Sequence, residues 1–341
     1  MRNTNKPTKR QLKTLYQVAG DFKKAEPWKY LYDADLICVE NPTDKMIGYC
    51  SVMGKSGQHF ALGVFLGDRG FYGFNYLMEK GDTMPHHQAV FYQDCLMCSF
   101  EDEEFLDKRD RTEIKGLGLA FSGRNAWPQF RRFEPGYFPW YINQEECSFL
   151  THALRQTLIT AEQYRQGAIN LDFEQGRTLL RYSQEKDGRL VWHTKEFQLN
   201  IPEIEYLPVE FRDDLLLQRL HRTSRRENVI LQAETCYLPM PVQGENGERP
   251  YFPRAFVLTE EKSGMIVDYN MYEAPQNDAH EVLTRMASVF LEKGIPKEIQ
   301  VKPGKMVAIL QDFCQKAGVN LRVVEDLSTI DDFIAELTER F

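Results

Sequence analysis

The sequence has no long apolar run, which limits where the protein can work. A membrane-spanning helix needs about 20 mostly apolar residues, and none of the runs in this 341-residue chain comes near that length. The opening residues MRNTNKPTKRQLKTLYQ are basic, but they lack the apolar stretch and the small-residue cleavage site of a secretory signal. We therefore expect no membrane contact and a cytoplasmic location.

Cysteine is scarce, and its pattern does not suggest disulfides. The seven cysteines are scattered and odd in number, whereas a disulfide framework needs paired cysteines at regular spacing. Cys95 and Cys98 have the CxxC spacing of a zinc ligand pair, but VFYQDCLMCSF is typical of a strand. Residues three apart on a strand point to opposite faces. We predict buried cysteines that act as small apolar residues, and no metal site.

Several common enzyme motifs are also missing. Neither GxSxG nor HExxH occurs, and the glycines of GDRGFYG form neither a GxGxxG turn nor a GK[ST] loop. Those patterns position a nucleophile, a zinc ion or a phosphate group. The sequence therefore gives no support to hydrolase or nucleotide chemistry of these kinds.

Positive charge is in short supply in the second half of the chain. Residues 205–341 hold 16 Lys and Arg against 23 Asp and Glu, whereas residues 1–204 hold 26 against 27. A domain that binds duplex nucleic acid gains affinity by neutralising phosphates. The acidic half is thus unsuited to broad nucleic-acid contact, although a local basic patch is compatible with it.

What is present is a mixture of helical and strand patterns that predicts two α+β domains. A composition of 42% hydrophobic and 27% charged residues is normal for a folded protein, and the length allows two cores. Prolines in NIPEIEYLPVEF mark a boundary near residue 205. We predict an N-terminal domain of residues 1–204 and a C-terminal domain of residues 205–341.

The C-terminal domain has the clearer pattern. Three strand patterns, NVILQAETCYLPM, PYFPRAFVLTEE and GMIVDYNMY, precede a helix over about residues 278–293. The strand EIQV, a helix, the strand NLRVVE and a last helix follow. The predicted order is βββαβαβα in a mixed sheet, because strands joined through helices add in parallel by right-handed crossovers.

The N-terminal domain begins with a helix and the strand patterns DLICVEN, MIGYCSVMG and HFALGVFLG, which predict an antiparallel meander. Because both halves start with three strands and a helix, one hypothesis makes the first a diverged duplicate of the second. No residue-level repeat supports it, so an unrelated N-terminal fold is the other hypothesis.

Aromatic residues and arginines alternate in GRNAWPQFRRFEPGYFPW, near residues 123–140, which its prolines mark as an irregular loop or an edge strand. Such a mixture can hold a protein partner or, less in keeping with the charge, stack the bases of a single strand. The other reading is a loop whose aromatics fill the core. The candidate binding residues are Arg124, Trp127, Arg131, Arg132, Tyr137 and Trp140.

Three stretches carry a resemblance to a family: EPWKYLYDADLICVENPTDKMIGYCSVMG, GRNAWPQFRRFEPGYFPW and GIPKEIQVKPGKM. They resemble an uncharacterised bacterial family of two paired domains of unknown function, which brings no activity with it. Residues from about 228 to 341 also resemble the ribonuclease H-like fold. That resemblance implies carboxylates from the first strand, the first helix, the end of the fourth strand and the last helix, which would hold two Mg²⁺ or Mn²⁺ ions.

Carried onto this sequence, the ribonuclease H-like pattern gives an incomplete site. The fourth-strand position falls on a lysine in IQVKPG, and a cation there repels the ions that an aspartate would bind. Acids at a strand edge or in the first turn of a helix also have ordinary structural roles. The weak catalytic candidates are Glu234, Glu281, Asp331, Asp332 and Lys302.

Two functions follow from this reading. The first is a non-catalytic binding or regulatory protein on a nuclease-like scaffold, with no cofactor, in which Lys302 is a solvated strand-end residue or binds a phosphate directly. The alternative is a divergent nuclease or phosphoryl-transfer enzyme that uses Mg²⁺ or Mn²⁺. We expect the first, with a protein partner, and the oligomeric state stays open.

Overall fold

The computed structural model describes residues 6–81, 83–84, 86–223, 225–244, 248–273 and 277–339. The chain forms two compact units, one of Met1–Pro135 with Pro139–Glu203 and one of Gly136–Phe138 with Ile204–Phe341. Each sheet carries helices, so the predicted α+β class with two domains is confirmed. Within the described residues, no helix has both the length and the apolar character needed to cross a bilayer.

The first unit is organised around an eight-stranded sheet of order β6-β5-β4-β3-β2-β1-β7-β8. Its helices are α1 (Lys9–Ala25), α2 (Gly67–Lys80), α3 (Lys108–Gly116) and α4 (Gln144–Arg165). Its strands are β1 (Ile37–Glu40), β2 (Ile47–Met53), β3 (Ala61–Leu66), β4 (Cys95–Glu101), β5 (Trp127–Glu134), β7 (Arg177–Lys186) and β8 (Arg189–Gln198), together with β6 (Tyr137–Trp140), of which Pro139 and Trp140 belong to this unit.

Both faces of this sheet are covered by apolar side chains, because its central strands are apolar at successive positions. One core joins the sheet to α1 and α4 through residues such as Phe22 and Leu150. The opposite core joins it to α2 through Phe71 and Phe74. Alternation along β4 places Cys98 in the first core and Cys95 in the second.

The cysteines pack as small apolar side chains. Six of the seven are buried, and Cys236 is partly buried. Burial raises the pKa of the Cys95 thiol to about 12, which leaves it protonated at neutral pH. A protonated, buried thiol is a poor nucleophile and a poor metal ligand.

The segment near residues 123–140 is not the irregular loop that its prolines suggested. Most of it forms the neighbouring strands β5 and β6, with β6 at the sheet edge as the edge-strand alternative predicted. The prediction of a loop failed because two consecutive arginines hide the period-two pattern of β5. Their charges are matched by acids from distant parts of the chain, as described below, so they are compatible with a strand inside the sheet.

The second unit contains a five-stranded sheet of order β11-β10-β9-β12-β13. Its strands are β9 (Arg226–Tyr237), β10 (Arg254–Glu260), β11 (Ile266–Tyr272), β12 (Ile295–Val301) and β13 (Asn320–Val323). Its helices are α5 (Asp214–Thr223), α6 (Asp278–Lys293), α7 (Lys305–Ala317) and α8 (Ser328–Glu339). From β9 onward the elements follow the predicted βββαβαβα order.

Pairing in this sheet also follows the prediction for a mixed sheet. Strand β10 is antiparallel to both β9 and β11, whereas β12 is parallel to β9 and to β13. Helices α5, α6 and α7 cover one face through a core that includes Phe256 and Phe290. Helix α8 covers the other face, where Ile330 packs with Val257.

The two sheets share one arrangement of four strands. In the first, the meander β3-β2-β1 is followed by β7, which lies parallel to β1 after helix α4. In the second, the meander β11-β10-β9 is followed by β12, which lies parallel to β9 after helix α6. Beyond these strands the sheets differ, since β8 is antiparallel to β7 while β13 is parallel to β12. Duplication stays a prediction.

Two glycines of GDRGFYG allow α2 to pack closely against the segment that leads into β4. A Cβ atom on Gly70 would lie 2.6 Å from the Asp94 carbonyl oxygen, and one on Gly73 would lie 1.9 Å from the Tyr92 carbonyl oxygen. Both obstacles are backbone atoms, which cannot turn aside as a flexible side chain would. These glycines therefore have a packing role.

We predict that Gly73→Ala lowers the free energy of unfolding by about 3 kcal/mol, because the added methyl group overpacks the contact with Tyr92. The matched control is Gly20→Ala in α1, where a Cβ atom meets nothing within 4 Å. That change should raise stability by about 0.5–1 kcal/mol through helix propensity. Urea unfolding measures both variants, and equal stabilities would contradict the packing role.

Candidate functional site

Polar residues of the second unit gather where the parallel strands β9 and β12 end. The register pairs Gln232 of β9 with Gln300 of β12. Two residues beyond this pair are Glu234 on β9 and Lys302, the residue after β12, so both lie at the same edge and on the same face of the sheet. Helix α8 begins beside them and supplies Asp331. The structure thus brings together three of the five candidates from the sequence.

Lys302 forms an ion pair with Asp331. Its Nζ atom lies 3.0 Å from Oδ1 and 3.2 Å from Oδ2 of Asp331. The lysine side chain is 35% exposed and the aspartate side chain 48% exposed. The cation at the fourth-strand position is therefore engaged with a carboxylate of the last helix, and solvent still reaches both groups.

Glu234 lies beside this ion pair and has an unusual proton affinity. Burial raises the pKa of its carboxyl group from 4.5 to about 7. A backbone hydrogen bond from Thr235 and the charges of Lys302 and Arg254 act in the opposite direction and lower the pKa, but their effect is smaller. The negative charge of Asp331 adds to the increase. The Thr235 amide donates to Oε1 over 2.8 Å. Glu234 can therefore gain or lose a proton near neutral pH.

Asp278, at the start of α6, is the most heavily paired acid of the site. Its side chain is 1% exposed. Arg254 donates to it from Nε over 3.2 Å and from Nη2 over 2.5 Å, and the Tyr272 hydroxyl donates over 2.6 Å. Lys305, the first residue of α7, donates from Nζ. Burial acts to raise the pKa of Asp278, but these donors hold it below its usual value.

Arg254, which pairs with Asp278, is held by a second contact. The Arg254 guanidinium lies over the Tyr237 ring, 4.5 Å from its centroid. Although burial lowers the pKa of Arg254, the hydrogen bonds and the charge of Asp278 raise it well above its usual range. These interactions favour the charged form of both partners.

Sequence reasoning missed Asp278, Arg254 and Lys305. It chose Glu281, on the same first turn of α6. Asp278 did not stand out, because the helix dipole already explains an acid at the start of a helix. One signal was present: Arg254 opens the strand RAFVLTE, whose other residues are mostly apolar. A charge at a buried strand position needs an opposite charge nearby. Asp278, at the start of a helix, could have been recognised as that opposite charge.

The carboxylates of the site fall on two faces of the sheet. Thr235 contacts Asp278 on the face covered by α6, so its neighbour Glu234 points to the opposite face, which α8 covers. Asp278 therefore lies on one face, and Glu234 and Asp331 lie on the other. Among the described residues, no group of three or more His, Cys, Asp or Glu side chains could hold a metal ion.

The two remaining acidic candidates are placed differently. Glu281 accepts a hydrogen bond from the Asn270 side chain on β11 over 2.8 Å. Asp332 is exposed on α8. Glu281 therefore has a structural partner of its own, and its contact joins α6 to the edge of the sheet.

The two adjacent arginines of β5 have structural partners. Arg131 binds Asp110 in a two-pronged pair, with distances of 3.0 Å and 2.5 Å. Arg132 pairs with Asp94 and lies 3.4 Å from Glu146. Because neighbouring strand residues point to opposite faces, the two guanidinium groups cannot form one patch.

The other four candidates of that segment are also dispersed. Trp127 packs edge-on against Phe121 at the first core, with ring centroids 5.8 Å apart. Trp140 lies edge-on to Tyr141. Arg124 and Tyr137 are exposed. A binding role for these six residues stays a prediction.

We predict that Glu234→Gln changes the pH dependence of stability. A carboxyl group whose pKa is raised from 4.5 to about 7 holds a proton in the folded state that the unfolded state has lost. The free energy of unfolding therefore falls as pH rises through that window. Between pH 5 and pH 8 the free energy of unfolding of the wild type should fall by up to about 3 kcal/mol more than that of the variant.

Urea unfolding at several pH values measures this difference, and Glu261→Gln, at an exposed glutamate beyond β10, is the control. The control should follow the wild-type curve. If Glu234→Gln followed it too, Glu234 would have an ordinary pKa.

We predict that Asp278→Asn destabilises the protein by about 3–5 kcal/mol, because it leaves the buried Arg254 without a countercharge. Asp331→Asn removes one partner of a solvent-exposed pair and should cost about 1 kcal/mol or less. Chemical unfolding of the two variants makes the comparison. Equal losses would show that the Asp278 cluster contributes no more than a surface ion pair.

Comparisons with known proteins agree with a chain of two parts. Residues 13–181 match the model of a domain of unknown function (DUF7309), and residues 216–338 match that of a second domain of unknown function (DUF6930). No curated protein matches the chain.

A cryo-EM structure of the simian T-cell lymphotropic virus intasome in complex with PP2A regulatory subunit B56 gamma is similar over 35% of this chain and 43% of that chain, at 15% identity. This chain therefore spans less than half of that one, and the TM-score of 0.26 is too low to support an argument. The chain is thus similar to two families of unknown function, one in each unit.

Proposed function

We propose that the second unit is a ribonuclease H-like scaffold without metal chemistry, and that it acts as a non-catalytic binding or regulatory module. Its strand order supports the scaffold: an antiparallel meander comes first, and two parallel strands are then added through helices beside β9. This is the order that the sequence pattern led us to expect for that fold.

The observation that carries the proposal is the pairing of acids with cations of the same chain. Lys302 forms an ion pair with Asp331, while Arg254 and Lys305 form ion pairs with Asp278. Two-metal catalysis needs carboxylates that converge on ions about 4 Å apart. Here each of these carboxylates already has a positive partner, and the sheet separates them. A divalent ion would have to displace an ammonium or guanidinium group before it could bind.

A protein partner suits this unit better than nucleic acid. Residues 205–341 carry seven more acidic than basic side chains, 23 against 16, and this excess repels phosphates. Strand β11 lies at the sheet edge and exposes Met271, preceded by the exposed Met265. Apolar side chains at a strand edge are suited to protein contact. A bacterial origin and a cytoplasmic location stay predictions.

We predict that the wild type gives no saturable binding heat with Mn²⁺ in calorimetry, and that Lys302→Asp creates a site. The substitution removes a positive charge and adds a third carboxylate beside Glu234 and Asp331, on one face of the sheet. Mn²⁺ prefers such oxygen ligands. The matched control is Lys297→Asp, at an exposed lysine of β12, which changes the net charge equally and should create no site.

The outcome that contradicts the proposal is also specific. It is tight Mn²⁺ binding by the wild type that disappears in Asp331→Ala, together with cleavage of a single-stranded or duplex oligonucleotide. A Lys302→Asp variant that folds but gains no more binding than Lys297→Asp would show that Glu234 and Asp331 do not lie in ligand positions.

A further inference from the structure

The first unit has a groove that neither the sequence motifs nor the proposed function uses. Its volume is about 630 Å³, and it is lined by the start of α1 and by the length of α3. Leu12, Leu117 and Gly116 contribute apolar surface, and both leucines are otherwise buried. A volume of this size lies in the range of small-molecule sites.

Positive charges surround this apolar surface. Lys9, Lys108 and Arg109 line the groove, and all three are exposed. Among the described residues, none of them has a carboxylate oxygen within 4.0 Å, unlike the ion-paired arginines of β5. The Arg109 guanidinium lies over the Tyr141 ring, 3.5 Å from its centroid. That contact holds a cation at the groove without neutralising it.

Glu113 is the acid that lines the groove, and a tyrosine donates a hydrogen bond to it. Burial raises the pKa of its carboxyl group, opposed by a hydrogen bond from Tyr16 and by the charge of Arg109. The Tyr16 hydroxyl lies 3.2 Å from Glu113 Oε1. Glu113 is one acid against the three cations that line the groove, which leaves positive charge in excess. Glu113 also accepts a hydrogen bond from Tyr16, so it does not need a positively charged ligand as a partner.

A smaller polar cavity of about 150 Å³ shares Leu12, Arg109 and Glu113 with the groove. Its other cations are Lys6 and Arg131, and Arg131 is already paired with Asp110. The two spaces together provide an apolar floor beside a polar end where Arg109 remains available. Both lie entirely within the first unit.

We propose that the groove binds a small anionic amphiphile, meaning a carboxylate attached to a short apolar body. The apolar body is buried against the lining of the groove, in which Leu12 and Leu117 are only 8% and 5% exposed. Each Å² of apolar surface that is buried favours binding by roughly 25 cal/mol. The carboxylate meets Arg109 and the two lysines. Helix α3 has nine residues and is about 13 Å long, too short to hold several turns of a partner helix.

The test is calorimetric titration of the full chain with octanoate, and with octyltrimethylammonium and octyl glucoside as cationic and neutral probes of similar tail length. We expect one octanoate site per chain, and at least about tenfold weaker binding of both other probes. Arg109→Ala should weaken octanoate binding about two- to fivefold, as expected for one exposed charge pair. Lys115→Ala, an exposed lysine of α3 that does not line the groove, should leave it unchanged.

A second variant fills the groove without disturbing the fold. A Cβ atom on Gly116 meets nothing within 4 Å, so Gly116→Leu should fold and abolish octanoate binding. Gly20→Leu, at an equally open helix position away from the groove, should bind as the wild type does. The proposal fails if octanoate does not bind, binds equally to Gly116→Leu, or binds no better than the other probes. Binding of an acidic peptide alone would also overturn it.

Discussion

A buried aspartate surrounded by cations of its own chain organises one end of the second unit. An isolated carboxylate as enclosed as Asp278 would be very unfavourable, so Arg254, Lys305 and Tyr272 must lie where they do. These contacts connect β10, β11, α6 and α7 at one edge of the sheet. The need to neutralise one acid thus fixes several elements, and it uses the charge that metal chemistry would require.

The first unit uses ion pairs in a similar way. Arg131 and Arg132 follow each other on β5, yet each meets a different acid, Asp110 and Asp94 respectively. In both units, strand arginines form ion pairs that are part of the internal structure. The cations that remain available, such as Arg109 over Tyr141, come from a short helix, where no pattern in the sequence set them apart.

The order of elements in the second unit was predictable because its apolar residues repeat with helical or strand periods and glycines end the helices. The meeting of Glu234, Lys302 and Asp331 was also accessible, since an ordered sheet brings strand ends and helix starts together. The loop predicted near residues 123–140 was wrong because the acids that neutralise β5 lie 21 and 38 positions away. Asp278 was missed because its position at the start of a helix already explained an acid there. The groove was not predictable because it joins residues about a hundred positions apart.

The pair between Lys302 and Asp331 has a consequence for the surroundings in which the second unit can keep its shape. Scaffolds that rely on divalent ions couple their stability to the supply of those ions, and a chelator loosens them. Here the balancing charge is covalently part of the polypeptide and is delivered once, at synthesis. The contact that this pair makes between the end of β12 and α8 accordingly takes its positive charge from the chain itself.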